Sequence, residues 1–116
     1  MRPGLLSTYY FRSHTNPLLY LAMRSLANGL LQLDLSHNGG RSWESLQLIE
    51  EERSNGEQLT SSCMTLEDAH GHRRKAWLIL PTGWSARGDW TVLLETPEGL
   101  MTLVKGASPL LVPAAV

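Results

Sequence analysis

The chain has 116 residues, 42% of them hydrophobic and 18% charged, which is enough for one ordinary domain core and excludes a chain disordered throughout. A formal net charge of −1 excludes general attraction to nucleic acid or anionic membranes, so such a partner would need a local patch. The single cysteine, Cys63, excludes an internal disulfide, and Pro3-Gly4 and Ser7 interrupt any apolar leader after Arg2, so a cytoplasmic location is expected, without a signal peptide or membrane span.

Leu5 to Phe11 has the aromatic and aliphatic composition of a strand. Pro17 to Gly29 supports two readings. Asn16-Pro17 suits a helix start and Asn28-Gly29 a helix end, giving a helix over 17–28, whereas Pro17-Leu18-Leu19-Tyr20-Leu21-Ala22-Met23 reads as a buried strand, which we favour. Leu31, Leu33 and Leu35 then alternate with Gln32 and Asp34 as a half-buried strand does. Ser36-His37-Asn38-Gly39-Gly40-Arg41-Ser42-Trp43 follows as a hairpin tip, because Asn38-Gly39-Gly40 can supply the positive φ angles of a tight turn.

Trp43 to Ile49 pairs naturally back onto that strand, and Glu50-Glu51-Glu52-Arg53-Ser54-Asn55-Gly56 reads as a solvated loop. Leu59 to Leu66 is a further strand, Asp68-Ala69-His70-Gly71-His72-Arg73-Arg74-Lys75 a second polar loop, and Ala76 to Leu80 a short apolar strand ended by Pro81-Thr82-Gly83. Trp90 to Leu94 and Leu100 to Val104 flank the turn Thr96-Pro97-Glu98-Gly99, and the tail from Ser108 to Val116 is expected to lie extended on the surface.

The octapeptide Ser36–Trp43 resembles the Asp-box of sialidase-type repeats, Ser-x-Asp-x-Gly-x-Thr-Trp, through Ser36, Gly40, Ser42 and Trp43, with Asn38 in the usual Asp position. Either side chain can accept backbone N–H hydrogen bonds in a turn, and the resemblance implies Trp43 packed beneath the hairpin. It extends over about residues 14–80, where Thr60-Ser61-Ser62-Cys63-Met64-Thr65-Leu66-Glu67 is similar to the stretch carrying the sialidase Tyr nucleophile. Thr60 stands in that position and cannot act as an activated phenol, so the resemblance implies a sialidase-like scaffold without sialidase chemistry.

Four strand candidates precede Glu50 and four follow Gly56, with the two hairpin turns about sixty residues apart, a faint duplication of 5–49 and 57–104 within a single β-rich domain. The expected fold is all-β, with two four-stranded antiparallel sheets. They would pack as a sandwich, ranked first, or form two propeller-like blades that need assembly, for example as a trimer.

Chemistry-bearing clusters are sparse. Asp68, His70 and His72 alternate, so an extended backbone would point all three to one side as ligands for zinc or nickel, although a solvated turn at Gly71 is the preferred reading and no cofactor is expected. Arg73, Arg74 and Lys75 form the basic run, able to contact phosphate or an acidic partner. Trp84, Arg87 and Trp90 flank a loop where aromatic rings could stack on sugar or anchor a protein; the competing reading puts both rings in the core. Arg87-Gly88-Asp89 also spells the integrin-binding tripeptide. Cys63 reads as an inert thiol.

These features favour a non-catalytic protein-interaction module, regulatory or homo-oligomeric, with a carbohydrate-binding or degenerate glycosidase-like module second. A metal-dependent hydrolase or nuclease using His70 and His72 comes third.

Overall fold

The computed structural model describes residues 5–26, 31–81, 88–106 and 109. These form eight strands: β1 (Leu5–Ser13), β2 (Tyr20–Leu26), β3 (Leu31–Ser36), β4 (Glu44–Asn55), β5 (Leu59–Glu67), β6 (Arg73–Pro81), β7 (Thr91–Thr96) and β8 (Gly99–Gly106). Each pairs antiparallel with its sequence neighbours, and β1 pairs with β8 from Tyr10–Gly106 to Ser13–Leu103, so the sheet closes into one up-and-down barrel.

This closure overturns the expected pair of four-stranded sheets, both as a sandwich and as propeller-like blades. Each strand candidate overlaps one strand, with β6 beginning at Arg73 inside the expected polar loop 68–75, but four of the predicted edges do not exist: β4 and β5 pair from Gln47–Glu67 to Asn55–Thr60, and β1 meets β8. The alternative helix over 17–28 is also overturned. Tyr20–Leu26 is a strand, with Leu21 and Met23 buried inside the barrel and paired across to Leu35 and Leu33, so a period of two prevails over helix propensity. The charged stretch Glu50–Asn55, expected as a loop, continues β4, which is exposed along this half.

Alternation fills the barrel. Thr60, Ser62, Met64 and Leu66 of β5, Ala76, Leu78 and Leu80 of β6, and Val92 and Leu94 of β7 are buried at every second position. They meet Phe11, Leu21, Met23, Leu33, Leu35, Leu46 and Leu103 in one core cluster, in keeping with an eight-stranded barrel whose interior is just wide enough for side chains. Trp90 caps it, its ring 4.4 Å from Tyr9 and 6.5 Å from Phe11 between centroids.

The seam between β3 and β4 is the shortest ladder, with Leu33–Leu46, Asp34–Ser45 and Leu35–Glu44 as its described pairs. Beyond it β4 shifts register against β5 between Leu48 and Glu50, a bulge that bends the strand. A groove of about 590 Å³ opens where the strands part, lined by Leu31 and Gln32 on one side and Leu46, Gln47 and Leu48 on the other.

Candidate functional site

The hairpin tips Ser36–Trp43 and Asp68–His72 and the turn at Pro97-Glu98 lie at one end of the barrel, because β3, β5 and β7 all run toward it. The octapeptide is held by its own side chains. The Ser36 hydroxyl accepts the Gly40 N–H at 2.8 Å and donates to Asn38 Oδ1 at 2.9 Å. Asn38 Oδ1 also accepts the Ser42 N–H at 3.0 Å, and Asn38 Nδ2 donates to Ser42 Oγ at 2.7 Å. Gly39 and Gly40 have φ of 74° and 92°, which non-glycine side chains resist. Trp43 is half-buried, its ring 6.3 Å from that of Tyr10 and 3.5 Å from where a Cβ on Gly40 would stand.

Asp68 organises the second tip in a similar way. Its Oδ1 accepts the N–H groups of His70 at 2.8 Å and His72 at 3.0 Å, while its own N–H donates to the His72 carbonyl at 3.0 Å. Cover by its own loop pushes the carboxyl pKa up. The His72 and His70 N–H groups and the nearby positive charge of the two imidazoles outweigh this and set it below the ordinary 3.8. The turn, with Gly71 at φ 82°, removes the extended backbone that would align Asp68, His70 and His72 as ligands. Among the described residues no group of three His, Cys, Asp or Glu side chains is arranged to hold a metal.

The basic run is split by the pleat of β6. Arg74 shares the inward side with Ala76 and is half-buried near Asp68, 3.9 Å from its Oδ2. Arg73 and Lys75 are exposed on the outward side, in one row with Trp77 and Ile79, both half-buried. Arg73 Nε donates to Glu67 Oε2 at 2.9 Å, and the backbone N–H of Lys75 donates to Glu95 Oε1 at 3.3 Å. A cleft of about 390 Å³ opens beside them, lined by His72, Arg73, Arg74, Glu95, Thr96 and Pro97. On the same outer face Trp77 lies cross-strand from Cys63 on β5 and Leu93 on β7.

Of the loop residues singled out from sequence, Trp84 and Arg87 lie outside the described residues. Trp90 is only 4% exposed, with the Lys105 ammonium 4.5 Å above its ring, so its faces are taken up by the protein itself. Thr60, at the position of the sialidase nucleophile, is buried on the inward side of β5. Trp77 is the ring that sequence reasoning passed over. In the wholly apolar run Ala76-Trp77-Leu78-Ile79-Leu80 no polar residue marks the solvent side; only Lys75, two residues before Trp77, gave a signal of the outward phase.

Compared with known proteins, the chain matches no protein-family model, no curated protein and no solved structure.

Proposed function

We propose that this chain is a non-catalytic protein-binding module that engages its partner through the outer face of β6. Trp77 forms the centre of the contact, and Arg73 and Lys75 its margin toward the hairpin tips. The observation that carries this reading is the outward row Arg73, Lys75, Trp77 and Ile79, flanked by Cys63 and Leu93. A tryptophan amid half-buried aliphatic neighbours and two long cations has the composition of an interface centre, where tryptophan and arginine account for much of the binding energy. Trp90 offers no open ring face for stacking on a sugar, so this reading makes no use of it.

The test is affinity capture from lysate of the source cells with the full chain, wild type against Trp77→Ala. Circular dichroism and thermal melting establish that the variant keeps the barrel. A defined partner retained by the wild type and reduced about tenfold or more with the variant supports the reading. Equal capture by a folded variant overturns it.

A further inference from the structure

Among the described residues, Gln47–Asn55 of β4 ladders with β5 alone, because the pairing of β4 with β3 stops at Leu46. In an antiparallel ladder every second residue turns its N–H and C=O away from its partner strand, so along one long edge of β4 a row of backbone donors and acceptors has no partner strand among the described residues. The stretch spans about 30 Å at the usual rise per residue, and its side chains from Ile49 to Asn55 are exposed on both faces. The groove between Leu31–Gln32 and Leu46–Leu48 continues this edge into the barrel wall.

We propose that this edge of β4 is a strand-addition site, and that its occupant is an extended protein segment with Lys or Arg at alternate positions. Charge selects the occupant. Glu50 and Glu52 lie opposite Thr65 and Cys63 and so project to the outer face, whereas Glu51 projects to the other. An added strand facing Glu50 and Glu52 gains opposite-charge neighbours if every second residue is basic. A second copy of this chain is a poor occupant, since a two-fold pairing centred on Glu50, Glu51 or Glu52 sets glutamate against glutamate. This edge lies one strand from the outer face of β6, with Cys63 between Glu52 and Trp77, and peptide binding that survives Trp77→Ala distinguishes the two sites.

The experiment uses the full chain and three fluorescently labelled nonapeptides: alternating Lys and Val, alternating Glu and Val, and a Lys-matched peptide with proline in place of valine. Anisotropy titrations are read at about 0.1 M and about 0.3 M salt, alongside amide exchange of the protein. The proposal expects the Lys-Val peptide to bind about tenfold or more tightly than both others and to slow exchange within Gln47–Asn55. It expects Glu50→Lys combined with Glu52→Lys, both at exposed positions, to reverse the preference between Lys and Glu peptides. Equal binding of the proline peptide shows charge attraction without strand pairing and overturns the proposal. So does the absence of binding, or protection of β4 by self-association seen in light scattering without peptide.

Discussion

Arg24 on β2 and Asp34 on β3 form an ion pair on the outer side of the barrel, with the Asp34 side chain 7% and the Arg24 side chain 24% exposed. Asp34 Oδ1 also accepts the Ser45 hydroxyl at 3.0 Å, so its carboxylate ties β2, β3 and β4 together beside the three-pair seam. Removing one partner of a covered pair strands the other, and the more covered partner carries the larger penalty. Arg24→Ala, which strands the Asp34 carboxylate, is therefore expected to cost about 2–4 kcal/mol in denaturant unfolding, and Asp34→Ala less, because the Arg24 guanidinium it leaves behind regains water more easily. Equal and negligible losses would show that the pair contributes nothing to the seam.

Gly40 is constrained twice. Its φ of 92° resists a side chain, and a Cβ there would stand 2.7 Å from Pro109 Cβ and 2.9 Å from its Cγ. Gly40→Ala should destabilise by about 1–3 kcal/mol. Ser36→Ala leaves the backbone unstrained but removes the acceptor for Gly40 N–H, for about 1 kcal/mol. A melting comparison should order them Gly40→Ala below Ser36→Ala below wild type.

Asp68 predicts a pH dependence of definite sign. Its folded pKa lies below the ordinary 3.8, so its contribution to stability is complete above that value and is lost as pH falls below it toward the folded pKa. Asp68→Asn can still accept the two amide hydrogen bonds but does not titrate. Urea unfolding between about pH 2 and pH 6 should show a shallower acid loss for the variant than for wild type. An unchanged slope would remove Asp68 from the acid sensitivity.

Ser62 faces the barrel interior at 4% exposure, and its Oγ has no hydrogen-bond partner among the described residues. Replacing a buried unpaired hydroxyl with an apolar group of similar size removes a desolvation cost. Ser62→Ala is expected to be neutral or to stabilise by up to about 1 kcal/mol, measured as a higher denaturant midpoint at unchanged slope. A clear loss of stability would mean that the hydroxyl has a partner after all.

Local pattern carried the strands and not their closure. Leu31, Leu33 and Leu35 reveal β3 because polar residues separate them, and Gly39-Gly40 reveal the turn because few other residues adopt its φ angles, whereas Asn38 contributes its side-chain hydrogen bonds and not a positive φ. Nothing in the neighbourhood of Phe11 indicates that it will pair with Lys105, since that match depends on the accumulated tilt of all eight strands. Glu50–Asn55 reads as a loop because charge marks solvent exposure, and a strand exposed on both faces shows no alternation. The candidate site was half legible for a related reason. Arg73 and Lys75 are evident as cations, but their alignment with Trp77 emerges only once the phase of β6 is known.

Seven of the barrel's eight seams join strands consecutive in the chain, and the eighth joins β1 to β8. Hairpins can thus form successively with short searches, while the last seam must wait for ends separated by most of the sequence, whose closing entropy grows only logarithmically with length. Substitutions at the β1–β8 contact, such as at Phe11 or Leu103, should accelerate unfolding far more than they slow folding.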